Sequence, residues 1–195
     1  MFNLRKNGFV LMILLLAALL VESLYGISVR PLRLAEMGRL SDRVFLGRVV
    51  GVDSAFDRTL GLDVTTYTFM VLEAIKGPGN GETVRIRQAG KPGGNAPIPG
   101  LPGYRKGQEI LLFLHPDSRL GLTSPVGMIQ GVFSEIELPD GERGYCNGIG
   151  NRNLVRSGGD QLRAKASSSF EALPITITEI REAIGGSAAG REIPE

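Results

Sequence analysis

The chain has no tryptophan, one cysteine (Cys146) and one histidine (His115) in 195 residues, and aromatics make up only 6%. Each scarcity closes off a class of chemistry. A lone cysteine cannot form an intrachain disulfide, so the fold must stand without one. Structural zinc takes about four Cys or His ligands, which one of each cannot supply. Stacking platforms for bases or sugars would have to come from four Tyr and eight Phe, several of them in runs that read as core. Charge of one sign is lacking too: 22 basic and 20 acidic residues leave +2. The signs are interspersed, whereas polyanion-binding proteins cluster their cations on one face.

What is present suits a single β-rich domain. Gly 27 and Pro 11 supply turns, and a hydrophobic content of 43% is enough for a core. The start carries Arg5 and Lys6 ahead of the uninterrupted apolar run Phe9 to Val21. A short basic region before an apolar stretch of this length reads as a secretory signal, since a membrane span needs about 20 residues. Residues 1–26 are therefore expected to be a signal peptide, 27–185 the folded domain and 186–195 a flexible tail. The expected location is outside the cytoplasm, periplasmic or extracellular. Contact with a membrane is expected only if the N-terminal segment stays uncleaved.

Strand-like runs then follow in series. Val44–Val52 contains Gly47 and Gly51, which mark places where a strand bends or another backbone comes close. Ser54 to Asp63 reads as a polar loop, and Val64–Ile75 as a second strand ending at the turn Lys76–Gly81. Thr83–Gln88 alternates, with Val84 and Ile86 inward and Arg85 and Arg87 outward. Ala89 to Gly107 is a long Gly/Pro-rich connection, of the kind that is usually functional or disordered. Ile110–Leu114, five apolar residues in a row, reads as a strand buried on both faces. Val126–Leu138 carries Gln130-Gly131 as an expected bulge, and Pro139-Asp140-Gly141 turns it into Glu142–Ile149. A short helix is expected over Pro31–Leu40. A second should open at the capping box Thr176-Ile-Thr-Glu179 and stop at Gly185-Gly186.

The segments at 41–49 (SDRVFLGRV), 67–77 (YTFMVLEAIKG), 84–90 (VRIRQAG), 104–114 (YRKGQEILLFL) and 127–133 (GMIQGVF) together resemble a group of uncharacterised exported bacterial proteins. Their fold is similar to the barrel of tissue inhibitors of metalloproteinases and netrin-like domains, over roughly residues 30–185. The resemblance implies a mainly all-β fold: an OB-type Greek-key β-barrel with a short N-terminal helix and a C-terminal helix. It implies no inhibitory residue. Those inhibitors chelate a protease's zinc through a mature N-terminal cysteine, and no cysteine of this chain lies near a cleavage site.

Candidate sites follow from the residues themselves. The long connection, with Ile98, Leu101 and Tyr104 beside Lys91, Arg105 and Lys106, suits the rim of a protein contact. Arg85 and Arg87 on the third strand read either as part of that rim or as a solubilising strand face. The expected function is a non-enzymatic binding module for an extracytoplasmic protein or peptide, a protease among the candidates, with no cofactor and no nucleic acid. Two other readings stand beside it. One is a secreted hydrolase using the His115-Pro116-Asp117 turn with Ser118 or Ser124 as nucleophile. The other is a structural protein of the envelope. The carboxylates Asp53, Asp57 and Asp63 read as solvated loop acids, and Cys146 as an inert strand thiol.

Overall fold

A computed structural model describes residues 30–92, 98, 100–138, 141–151, 154 and 174–189. The expected signal peptide at 1–26 and the last six residues of the expected tail lie outside the described residues.

The expectation of a mainly β chain holds. Six strands, β1 (Arg43–Asp57), β2 (Leu62–Lys76), β3 (Thr83–Ala89), β4 (Glu109–Leu114), β5 (Val132–Glu137) and β6 (Arg143–Asn147), form one sheet in the order β3-β2-β1-β4-β5-β6. Every pairing is antiparallel. Among the described residues the sheet is open, with β3 and β6 at its ends. One backbone bond, Thr123 N–H to Arg87 O at 2.8 Å, ties the β3 edge to the β4–β5 connection.

Near its middle β4 lies between β1 and β5, and Ile110, Leu111, Leu112, Phe113 and Leu114 are all fully buried. Successive side chains of a strand point to opposite faces, so an unbroken apolar run requires cover on both. The two covers are distinct. Leu111 and Phe113 join Val44, Leu46, Phe133 and the helices, while Ile110, Leu112 and Leu114 join Phe45, Tyr67, Phe69, Val84, Ile86 and Tyr104.

The β1–β2 hairpin is longer than the sequence suggests. Its strands run to Asp57 and from Leu62, through what reads as a polar loop. Asp57 closes the turn, its Oδ1 accepting the N–H groups of Thr59 (2.9 Å) and Leu60 (3.1 Å). Register shifts fall between Leu46 and Gly47 and between Val49 and Gly51, so both glycines mark irregularities, as expected. Gln130-Gly131 is not a simple bulge: Met128–Gly131 is a 3-10 turn leading into β5. Gln130 is buried in a polar network. Its Oε1 accepts from Leu32 N–H (2.9 Å), its Nε2 donates to Arg30 O (3.1 Å), and its carbonyl accepts from Asn147 Nδ2 (3.1 Å).

Helix α1 (Leu34–Leu40) is held at its C-terminal end by Ser41 Oγ, which donates to Met37 O at 2.7 Å, and by the Lys76 ammonium, which donates to Gly38 O at 3.1 Å. A cation there also answers the negative end of the helix. Gly38 is buried against the second helix, and a Cβ built on it would sit 2.6 Å from Ile184 Cγ1. Helix α2 (Ile177–Ala189) opens on the expected capping box: Thr176 N–H donates to the Glu179 carboxylate at 2.8 Å, and Glu179 N–H to Thr176 Oγ1 at 3.3 Å. It does not stop at Gly185-Gly186, and residues 186–189 of the expected tail are helical. Glycine costs about 1 kcal/mol in a helix interior, which weakens a helix without ending it.

Two-sided burial makes a direct prediction. Leu111→Ala and Leu112→Ala, on opposite faces of β4, should each cost about 2–5 kcal/mol in urea unfolding. A large loss at one and a change within about 0.5 kcal/mol at the other would show that one face is exposed.

Candidate functional site

Where β3 ends, Gly90 takes φ +92, a conformation open to glycine and strained for other residues, and the chain leaves the sheet. Its N–H donates to Asp63 O (2.7 Å), and its carbonyl accepts from Thr65 Oγ1 (2.7 Å). Pro92, Ile98, Leu101 and Pro102 of the connection lie by Tyr67 on the sheet. A turn closes from Leu101 N–H to Ile98 O (3.1 Å), and Tyr104 plugs the far end into the core. Between these anchors lies a small cleft of about 50 Å³ lined by Thr65, Tyr67, Gln88, Lys91, Ile98 and Leu101, with Pro92, Pro102, Ala89, Gly90 and Gly103.

The floor of this region is aromatic. Tyr104 meets Tyr67 edge-on at 4.8 Å between ring centres and Phe69 at 5.6 Å. Burial pushes the Tyr104 hydroxyl well above the ordinary tyrosine range, with the Gln88 side chain opposing the rise. Yet neither Tyr104 Oη nor Gln88 Nε2 meets a partner at hydrogen-bond distance and angle, although Gln88 is only 2% exposed. Leaving a buried donor unpaired costs about 1–3 kcal/mol.

The sequence-derived candidates separate into groups. Lys91, Ile98 and Leu101 come together at the cleft, Lys91 exposed and Ile98 40% exposed. Tyr104 is only 4% exposed and belongs to the core beneath the loop rather than to its surface. Arg85 and Arg87 lie on the other face of β3 from Gln88. Arg87 is engaged there, its guanidinium donating to Asp57 at 2.6 Å. The Leu60 N–H, that guanidinium and the Thr59 N–H hold the Asp57 carboxyl below its usual range. Arg105 and Lys106 occupy the exposed turn before β4, which Gly107 N–H anchors to Val49 O at 2.8 Å. Gln88 was not among the sequence candidates. Its signal was the two-residue alternation through Val84 and Ile86, which turns position 88 inward.

In the His115 turn, Asp117 pairs with Arg43, and Ser118 Oγ accepts Leu122 N–H at 3.1 Å. The His115 backbone holds Ser124 O (3.1 Å) and the Thr123 hydroxyl (2.8 Å). Among the described residues no group of three His, Cys, Asp or Glu side chains is placed to hold a metal ion, and no helix is long and apolar enough to cross a membrane. Cys146 on β6 is half-buried, and burial pushes its thiol up. Compared with protein-family models, curated proteins and solved structures, the chain matches none.

Two predictions follow from these environments. Gln88→Met replaces an unpaired buried donor with an apolar chain of similar shape, and should raise stability by about 1 kcal/mol; a loss of that size would mean the amide is satisfied in solution. Because its pKa is raised, Cys146 holds less thiolate at pH 8 than a free thiol does. Its alkylation by iodoacetamide should therefore run slower than that of a free cysteine peptide, and an equal or faster rate would contradict the burial.

Proposed function

We propose that the chain is an exported, non-enzymatic binding module that takes an extended segment of an extracytoplasmic protein or peptide at the cleft between the end of β3 and the 91–104 connection. The observation that carries this reading is the Gln88 amide: a buried donor on the wall of an apolar-rimmed cleft that, among the described residues, has the Tyr104 hydroxyl nearby but no well-aligned acceptor. A peptide carbonyl supplies the acceptor it lacks, and a small apolar side chain fits against Ile98, Leu101 and the two prolines. Lys91 at the rim favours an acidic neighbour on the ligand. A cleft of about 50 Å³ admits one small side chain, so affinity must also come from contacts along the loop.

The OB-type barrel belongs to the same proposal. The bond between Thr123 and Arg87 brings the open edge of β3 to the β4–β5 connection, which is the direction in which such a sheet would close. Export rests on the N-terminal apolar run and its basic flank. For the hydrolase reading, Asp117 and Ser118 are both committed to other partners, and nothing in their geometry favours it.

The test is retention of peptides from a synthetic array by the full-length chain in mild detergent. Wild type should retain a subset that carries a small apolar residue beside an acid. Leu101→Ser and Gln88→Met should each weaken retention about tenfold, the loss of one buried hydrogen bond or apolar contact. Retention that survives both substitutions would sink the cleft as the site.

A further inference from the structure

We propose that the free edge of β1 pairs with the same edge of a second copy of this chain, antiparallel and centred on Ser54. β1 is paired to β4 only from Arg43 to Arg48. Val49 then bonds to Gln108 O and Gly107 N–H. From Gly51 to Asp57 the strand has β2 on one side and, among the described residues, no strand on the other.

Which backbone groups face that open side follows from the β2 pairings. Val71 bonds to Glu82 and Gly81, and Asp63 to Gly90, all on the β3 side. Alternate residues of an antiparallel strand bond to alternate neighbours, so Val64, Thr66 and Thr68 bond toward β1, where they face Ala55, Asp53 and Gly51. Val52, Ser54 and Phe56 therefore turn their N–H and C=O groups outward. These three are symmetric about Ser54. A twofold axis through that residue sets Ser54 against its copy and Val52 against the copy's Phe56, with two hydrogen bonds available at each of the three pairs.

The side chains agree with this register. Val52 and Phe56, 36% and 61% exposed, lie on one face and would cover each other across the junction. On the other face Asp53 meets Ala55 and Asp57 meets Gly51, so no acid stands directly opposite an acid, the arrangement that destabilises paired strands. Asp57 already has Arg87. Asp53 and its copy stand diagonally and supply the one repulsion. No proline or lysine, the usual guards of an open edge, interrupts residues 51–57. Any strand can add to an open edge, but this one carries its own complement. A junction of three pairs buries less than the roughly 1,000 Å² of a stable interface, so the dimer is concentration-dependent.

Cross-linking in the full-length chain, held in mild detergent with Cys146→Ser removing the native thiol, tests both the partner and the register. With a short bismaleimide, Ser54→Cys should link to itself. Val52→Cys and Phe56→Cys should link poorly alone but about fivefold more when mixed, because only the mixture sets the two positions across from each other. Ser54→Pro removes an outward donor that the β1–β2 ladder does not use together with the 2.9 Å Ser54–Thr65 hydroxyl bond, and should cut the mixed linkage about tenfold, whereas Ser54→Ala, which loses only the hydroxyl, should leave it unchanged. Asp53→Asn should raise linkage a few-fold by removing the diagonal repulsion. If mixing gives no gain over the single variants, or linkage is independent of protein concentration, the twofold pairing is wrong and the edge is left to a strand of another protein. The register result stands even if Ser54→Pro fails to fold.

Discussion

The burial of β4 on both faces is the constraint on which the rest depends. Five consecutive side chains without access to water need two separate apolar layers, and each layer recruits a different half of the molecule. One draws in the helices, β5, β6 and the Gln130 network through Leu111 and Phe113. The other draws in β2, β3 and Tyr104 through Ile110, Leu112 and Leu114. A single short strand therefore couples helix packing on one side to the shape of the cleft region on the other. Core interiors are close-packed, so a volume change in either layer is felt through β4.

Tyr104 carries that coupling to the surface. The loop between Gly90 and Tyr104 is anchored at both ends: at the first by a glycine conformation and the Thr65 hydroxyl, at the second by a ring wedged edge-on against Tyr67 and Phe69. Edge-to-face pairs of this kind contribute about 0.5–1.5 kcal/mol beyond the area they bury. These pins hold Ile98 and Leu101 at the cleft. The basic turn that follows Tyr104 is tied to Val49 instead, so the cations at 105 and 106 sit at a different place from Lys91.

Much of this was legible in the sequence where the pattern was apolar. The five-residue run announced β4, the alternation at 83–88 announced β3, the Thr176 capping box announced α2, and Gly47 and Gly51 marked the irregularities of β1. What was hidden lies where burial gives no signal. The segment from Ser54 to Asp57 is strand with, among the described residues, one neighbouring strand and an exposed surface, so its side chains carry no core pattern and read as loop. Helix α2 passes through two glycines because continuing the backbone costs less than a stop would require. The split between Arg85 and Arg87 on one face and Lys91 on the other depends on the chain reversing at Gly90, which no local periodicity encodes. Tyr104 read as a surface contact because it closes a Gly/Pro-rich stretch next to the cations Arg105 and Lys106, while its ring fills a gap that only the assembled sheet creates.

The buried amide of Gln88 is the place where packing and use conflict. Apolar residues fill the neighbouring inward positions Val84 and Ile86, and a third at position 88 would complete the layer. A folded domain has only about 5–15 kcal/mol of net stability, so an unpaired donor costing about 1–3 kcal/mol is a substantial fraction of it. Such a cost persists at sites where a group is needed in the bound state more than in the free one. Gln88 lies at the cleft beside the Tyr104 hydroxyl, and neither group makes a hydrogen bond of good geometry among the described residues. On the proposed reading, a peptide carbonyl at this cleft would compete with the Tyr104 hydroxyl for the Gln88 amide, between the Ile98, Leu101 and proline side chains that line it.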